Sequence, residues 1–218
     1  MATLKLVIAN KAYSSWSLRP WILLTHFQIP FDEVVIPLDL PETRERLLAY
    51  APTAKAPVLV DGEVTVWESL AIVEYLAESF PHLPIWPRDA AARALARALG
   101  SEMHAGFAAL RRHCPAQFLR AVKKRALTPE VEADAARIED AWRGARQAHG
   151  GSGPFLFGGF SAADAMFAPV VNRFHIYDIP VAGDTQAYMA AIMALPAWNA
   201  WISGARTEPW RIAEYEAI

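Results

Sequence analysis

The sequence contains a single cysteine, Cys114, among its 218 residues. One cysteine can form no disulfide within the chain, and it cannot supply a metal site that needs several thiolates. The six histidines are scattered, with no pair spaced four residues apart and no acid-rich frame around them. These absences predict a protein that uses no metal and works in a reducing compartment, most simply the cytoplasm.

An excess of positive charge is also missing, because 21 basic residues stand against 23 acidic ones. A nucleic-acid-binding domain usually carries a basic surface, so we expect no nucleic-acid partner. No apolar stretch reaches the roughly 18–20 residues that span a bilayer. Residues 1–16 lack the apolar core of a secretory signal. We therefore expect a soluble protein with no membrane partner.

The first 80 residues show the short apolar runs and turn residues of an α/β domain. Strands are predicted at residues 4–9, 31–38, 57–60 and 64–67, and Asp61-Gly62-Glu63 is a hairpin signal between the last two. Helices are predicted from Leu18, with Pro20 in the first turn, and at residues 41–50 and 69–80. The element order is therefore βαβαββα.

A proline-rich linker, residues 81–88, separates this half from a second half without strand signals, residues 89–218. Asp89 caps a predicted helix that runs through Leu110 towards Pro115. Thr128 opens another helix, and Ser161 with Asp164 forms a variant capping box before an apolar helix at residues 165–177. Two more helices are expected near residues 185–195 and 197–204. The predicted fold is an α/β domain followed by an all-α bundle.

Four short segments carry a family resemblance: residues 14–19 (SSWSLR), 55–59 (KAPVL), 67–69 (WES) and 160–164 (FSAAD). In this order and at these separations they resemble the cytosolic glutathione transferase superfamily over nearly the whole chain. The first segment is similar to the SSCSxR signature of the zeta class, which includes maleylacetoacetate isomerases, but Trp16 replaces its cysteine. The resemblance implies a thioredoxin-like domain at 1–80, a helical domain at 89–218 and a homodimer.

By the same resemblance, glutathione is the co-substrate, and a set of residues around it is implied. Ala56 pairs with the tripeptide backbone beside a cis Pro57, while Lys55 meets the glycyl carboxylate. Ser69, which can also cap its helix, takes the γ-glutamyl carboxylate, and Glu68 takes the ammonium. The implied glutathione-binding residues are Ser14, Ser15, Trp16, Arg19, Lys55, Ala56, Pro57, Glu68 and Ser69.

The reactive thiol needs help to ionise, because a free thiol has a pKa of about 8.5. Ser14 and Ser15 are the candidate hydroxyls that stabilise the thiolate, with Ser15 preferred. Ser17 is assigned to helix capping, since it is the last hydroxyl before the predicted helix. Tyr13 is a rival donor. Arg19 either adds positive potential or braces the first helix.

The pocket for a small hydrophobic electrophile is expected against the helix after the linker. Its predicted lining is Trp16, Met103, His104, Phe107 and Arg111, with Gly106 allowing close approach and Trp210 as a cover. The predicted activity is that of a serine-type glutathione transferase. A glutathione-dependent cis-trans isomerase and a non-catalytic ligand-binding protein of the same fold stay as alternatives.

Overall fold

The computed structural model describes residues 3–217, and its first half is built on one four-stranded mixed sheet. The strands are β1 (Leu4–Ile8), β2 (Phe31–Val35), β3 (Val58–Asp61) and β4 (Val64–Trp67), in the order β2-β1-β3-β4. β1 is parallel to β2 and antiparallel to β3, which pairs antiparallel with β4. β2 ends three residues before the predicted Leu38, because Val35 already lies opposite Ile8, the last residue of β1.

Three helices cover this sheet: α1 (Ser15–His26), α2 (Thr43–Leu48) and α3 (Ser69–Ser79). The predicted start of α1 at Leu18 was wrong, because Ser14 occupies the N-cap position and the helix begins at Ser15. Pro20 therefore lies in the second turn, not in the first, where its missing N–H would carry no cost.

Seven helices follow: α4 (Ala90–Ala105), α5 (Ala108–His113), α6 (Pro129–His149), α7 (Ala162–Ile176), α8 (Gly183–Met193), α9 (Pro196–Thr207) and α10 (Ala213–Glu216). The predicted caps at Asp89 and Thr128 are confirmed, since each side chain accepts a hydrogen bond from a first-turn amide. The short helix α10 was not predicted. Within residues 3–217, no helix is long and apolar enough to cross a bilayer.

Helix α7 lies at the centre of the molecule, and every residue of it except His175 is buried. The capping box that opens it is confirmed: Asp164 accepts hydrogen bonds from the amide and the hydroxyl of Ser161, both at 2.9 Å. Helix α1 packs on α7, and a single apolar core runs from the sheet side into the helical half. The two halves therefore share their packing.

The predicted continuous helix from residue 89 to 110 is broken at Gly106 and Phe107. Gly106 ends α4, and Phe107 adopts a left-handed backbone with φ 60° before α5 begins. A Cβ on Gly106 would lie 2.8 Å from the carbonyl oxygen of Glu102. Glycine is therefore needed at position 106 because the backbone of its own helix lies so close. We had expected the reason to be the close approach of a ligand or a second chain.

Candidate active site

A cavity of about 600 Å³ opens between the sheet side of the molecule and α5. Most of the predicted site residues line it. They come from the start of α1, from the segment that enters β3, and from the junction between β4 and α3. The opposite wall is made by the helical half, so the cavity is completed only when both halves are in place.

Three serines stand at the start of α1, and the structure gives their hydroxyls different partners. Ser14 caps the helix: its Oγ accepts from the Ser17 amide at 3.3 Å and donates to the Ser17 Oγ at 2.8 Å. The Ser17 hydroxyl accepts from the Ala9 amide at 3.0 Å and is fully buried. Ser17 therefore has a structural role, as expected, but the capping that we assigned to it belongs to Ser14.

The Ser15 hydroxyl lies at the cavity wall and has a cationic partner. Nη2 of Arg173 donates to its Oγ at 3.4 Å, while the same guanidinium donates to the carbonyls of Cys114 and Pro169. Arg173 is buried, and desolvation together with the nearby Arg111 lowers its pKa to about 10. Because the Arg173 bond is accepted by the oxygen, the Ser15 proton is left to donate to a ligand.

Trp16 is held between two guanidinium groups. The guanidinium carbon of Arg19 lies 4.2 Å from the indole centroid, and that of Arg111 lies 4.6 Å from it. His104 meets the same ring edge-on, with 5.2 Å between centroids. Such cation–π pairs fix the ring orientation, so Trp16 presents a rigid wall to the cavity.

Arg19 does not line the cavity, because it is fully buried beneath Trp16. Its Nε donates to the Met166 carbonyl at 3.2 Å and its Nη1 donates to the Ser69 hydroxyl at 3.4 Å. Desolvation, followed by repulsion from the other arginines, lowers its pKa well below the usual range. We expected Arg19 either to add positive potential or to brace the first helix, and these contacts fit the bracing role.

The segments before β3 and before α3 form the second part of the wall. The Ala56–Pro57 peptide bond is cis, as predicted, and both residues line the cavity next to the exposed Lys55. Glu68 lines it too and takes the N-cap position of α3, with φ 72°. Ser69 is the first residue of that helix, not its cap, and it is buried just behind the wall.

His104 lies beside Glu68 but does not line the cavity itself. Its Nε2 is 3.6 Å from a carboxylate oxygen of Glu68. Desolvation, helped by Arg19 and opposed by Glu68, lowers the pKa of His104. The imidazole is therefore mainly neutral near pH 7 and leaves the Glu68 carboxylate available for a cationic partner.

The helical half contributes three arginines to the cavity, beside the apolar Pro115 and Ala116 and the aromatic Tyr215. Arg111 and Arg112 of α5 line it, as does Arg173 of α7. The expected lining residues Met103 and Phe107 do not, because both side chains are buried in the apolar core.

The C-terminal segment covers one end of the cavity through Tyr215 of α10, in the position that we expected for Trp210. The Tyr215 ring stacks on Tyr13, with 5.6 Å between centroids. The Tyr13 hydroxyl donates to Glu216 at 2.6 Å and accepts from the Ile212 amide at 3.3 Å. Burial, and next this bond to Glu216, raise the pKa of Tyr13, so its proton is already engaged.

Sequence reasoning did not select Arg173 as a site residue, although a signal was present. It is a charged residue in the last turn of a helix that is otherwise almost entirely apolar. A buried arginine in such a helix needs partners, and these partners are the Ser15 hydroxyl and two backbone carbonyls. Tyr215 carried no comparable signal, since only tertiary contacts bring α10 to the cavity.

Residues 13–79 match the family model described as the glutathione S-transferase N-terminal domain, and residues 90–203 match the one described as its C-terminal domain. The chain belongs to the glutathione S-transferase family. Its four-stranded sheet with α1 to α3 is the thioredoxin-like part of that fold, and the helices from α4 onward form the helical part.

Curated glutathione S-transferase relatives match over part of their length. A probable maleylacetoacetate isomerase of Caenorhabditis elegans is 38% identical over 100 residues, which is 45% of this chain and 46% of that protein. A dichloromethane dehalogenase of Methylorubrum extorquens is 45% identical over 60 residues, 27% of this chain and 21% of that protein. The chain thus aligns with less than half the length of each.

Solved structures match over almost the whole chain. A glutathione transferase homologue from Burkholderia GL BGR1, with bound glutathione, has a TM-score of 0.71 and 22% identity, covering 94% of this chain and 100% of the other. A theta-class glutathione S-transferase from Xanthomonas axonopodis pv. citri, also with glutathione bound, has a TM-score of 0.67 and 21% identity, covering 93% and 98%. These likenesses establish the fold.

Proposed function

We propose that this glutathione S-transferase family member binds glutathione, stabilises its thiolate through a serine hydroxyl and transfers it to a small hydrophobic electrophile. The observation that carries the proposal is the Ser15 hydroxyl at the cavity wall, backed by the guanidinium of Arg173 at 3.4 Å. A hydroxyl that accepts a bond from a cation is itself a stronger donor to an anion. The bound glutathione of the Burkholderia and Xanthomonas structures supports the choice of thiol.

The part of the cavity around β3 and α3 supplies groups for an extended tripeptide. The backbone of Ala56 would pair with the peptide, and the amides at the start of α3 attract a carboxylate. Glu68, which the neutral His104 leaves available, would take the γ-glutamyl ammonium, and the exposed Lys55 would take the glycyl carboxylate. Ser69 lies behind this wall, so we assign it to positioning through its bond from Arg19.

Ser15 is the best candidate for the thiolate because the two other hydroxyls that we considered as donors, those of Ser14 and Tyr13, are already used. The Ser14 proton is donated to Ser17, and the Tyr13 proton is donated to Glu216. In the transfer, the thiol proton leaves to solvent, a carbon–sulfur bond forms, and the leaving group departs with its bonding electrons. Catalysis would come from proximity and from electrostatic stabilisation of the anion.

The test is the pKa of the bound glutathione thiol in Ser15→Ala. A hydrogen bond to an anion contributes on the order of 1.5–3 kcal/mol, so the thiol pKa should rise by about 1–2 units and turnover at neutral pH should fall. Thiolate absorbance in the ultraviolet, followed against pH, measures it. Ser203→Ala, an exposed serine of α9, is the matched control.

A shift carried by Ser14→Ala and not by Ser15→Ala would contradict this assignment and reverse the two roles. An unchanged thiol pKa in both variants would leave Arg173 and the amides of α1 to hold the anion, and the serine-type mechanism would be wrong. No glutathione binding by the wild-type chain would remove the proposed function as a whole.

A cis-trans isomerase is the second candidate, and the similarity to a probable maleylacetoacetate isomerase favours it. The same thiolate would add to a double bond, permit rotation and leave again. Product analysis by mass spectrometry separates the two, because transfer leaves a stable glutathione adduct and isomerisation leaves none. A non-catalytic member would bind glutathione and turn over neither kind of substrate.

We also propose a homodimer located in the cytoplasm. Val64 and Trp67 expose much of their side chains on β4, the edge strand of the sheet, and such a surface fits a protein interface. The single cysteine is free and buried, which fits a reducing compartment.

A further inference from the structure

Positive charge exceeds negative charge in the lining of the cavity. Four basic side chains line it, Lys55, Arg111, Arg112 and Arg173, against the two carboxylates of Glu68 and Glu214. Arg111 lies close enough to lower the pKa of Arg173 and of the buried Arg19, so the guanidinium groups repel one another. A cluster of like charges in a half-buried site is stable only when something offsets it.

Side chains of the protein supply only part of that offset, since burial lowers the pKa of Arg111 overall while the Asp134 carboxylate acts to raise it. Among residues 3–217, no carboxylate forms an ion pair with Arg111, Arg112 or Arg173. Arg111 instead donates to the carbonyls that end α4, those of Met103, His104 and Gly106. Backbone carbonyls carry partial charge only, so they reduce the positive potential at the cavity without cancelling it.

Of the three arginines, Arg112 is the least involved in holding the fold together. Its side chain is exposed at the cavity, and it makes no hydrogen bond to the described part of the chain. An arginine that supports no fold contact but faces a cavity is available to a ligand, and its fork of N–H groups matches a carboxylate.

Glutathione, placed as above, would use only part of this charge. Lys55 would meet the glycyl carboxylate, Glu68 the ammonium, and Arg173 with Ser15 the thiolate. Arg111 and Arg112 are then left over on the wall where the second substrate must lie. We infer that the electrophile is itself an anion, a planar molecule whose carboxylate is bound by Arg111 and Arg112. This inference rests on the proposed transferase function.

The aromatic lining of the cavity explains why the electrophile should be planar. Trp16 is fixed by its two cation–π contacts, and the stacked Tyr13 and Tyr215 close the other end. The Tyr13 and Tyr215 rings favour a flat ligand, because a flat ring packs against them without loss of conformational freedom. An aromatic or conjugated acid satisfies both the ring faces and the arginines.

The experiment compares an anionic and a neutral probe of similar shape, 4-chloro-3-nitrobenzoate and 4-chloro-3-nitrobenzamide. Each kcat/KM is divided by the rate constant of the uncatalysed reaction with glutathione, because the carboxamide activates the ring more strongly than the carboxylate. With either probe, the glutathione sulfur bonds to the ring carbon that carries chlorine, the carbon–chlorine bond breaks, and chloride leaves with the electron pair. The thiol proton goes to solvent. We expect a higher normalised kcat/KM for the benzoate, and we expect added salt to reduce this preference because salt screens the attraction.

Arg112→Gln is the variant of choice because the side chain supports no contact of the fold. Loss of one charge contact at a partly solvated site should lower the ratio of kcat/KM for benzoate over benzamide by roughly fivefold to tenfold. Arg206→Gln, an exposed arginine on α9 away from the cavity, is the control and should keep the wild-type ratio.

Three outcomes would overturn the inference. A wild-type enzyme that turns over the benzamide as well as the benzoate would leave the transferase in place but remove the anionic electrophile. An unchanged ratio in Arg112→Gln would do the same. A rise in the KM for glutathione in Arg112→Gln, seen with both probes, would show that Arg112 binds glutathione and not the electrophile. Turnover of neither probe while glutathione still binds would count against the transferase itself.

Discussion

At the scale of single residues, the Ser15 hydroxyl is free to donate to a ligand because the hydroxyls of Ser14 and Ser17 are engaged in other hydrogen bonds. Ser14 and Ser17 bond to each other, and Ser17 also holds the Ala9 amide at the end of the first strand. Ser15 has a partner only on its oxygen, from Arg173. The chemistry of Ser15 thus depends on the structural roles of the two serines beside it.

Ser17→Ala should destabilise the protein by roughly 1–3 kcal/mol, because it leaves the buried Ala9 amide without an acceptor. Ser14→Ala removes a helix cap and should cost about 0.5–2 kcal/mol. Urea denaturation followed by circular dichroism measures both, with Ser203→Ala as the control. A Ser17→Ala protein as stable as the control would show that the Ala9 amide finds another partner.

The sequence alone could not rank these serines, because their roles depend on which residue begins α1. Pro20 favoured a start near Leu18, since proline is best tolerated in a first turn. The cap at Ser14 moved the start to Ser15 and exchanged the roles of Ser14 and Ser17. By contrast, the cis peptide at Pro57 was predicted through the family resemblance, because the residues around it favour no cis bond by themselves.

At the scale of elements, the capped starts of α4, α6 and α7 were predicted well, whereas the start of α1, the interruption at Gly106 and the short helix α10 were not. The caps at Asp89 and Thr128 and the box at Ser161 each use a hydrogen bond within four residues, so the sequence pattern contains them. The break at Gly106 depends on a left-handed Phe107, and α10 depends on contacts with Tyr13. Neither feature produces a pattern of apolar residues from which it could be predicted.

The contribution of the α7 capping box to the stability of the protein depends on pH. Asp164 is fully buried, and desolvation raises its pKa from 3.8 to about 6, although hydrogen bonds from Leu156 and Ser161 oppose this. Between about pH 4 and 6 the folded state therefore holds more of this proton than the unfolded state does. The contribution of Asp164 to stability is greatest below pH 4 and is lost as the pH rises to 6.

Asp164→Asn should therefore have its largest cost at low pH. The difference in unfolding free energy between wild type and variant should shrink by on the order of 2–3 kcal/mol from pH 4 to pH 7. Urea titrations at several pH values measure it, and Asp140→Asn, an exposed aspartate of α6, is the control. A difference that grows with pH would mean that the box prefers the ionised carboxylate.

At the scale of the whole molecule, the proposed dimer places the exposed residues of β4 at an interface. Val64→Glu would bury a charge there, so it should weaken dimerisation by roughly tenfold or more. Sedimentation velocity over a concentration series measures the dissociation constant. Val122→Glu, an exposed apolar position in the helical half, is the control. A wild-type chain that sediments as a 24.1 kDa species at all concentrations would contradict the dimer.

Arg19 of α1 forms hydrogen bonds to α3 and to α7, and its partner on α7 is the main-chain carbonyl of Met166. Such a contact does not depend on which side chain stands at position 166. The side chains of α7 can therefore change over evolution without loss of this contact, and the register between α1 and α7 is kept. The contact with α3 is different, because it depends on the Ser69 hydroxyl and would be lost on substitution of that side chain.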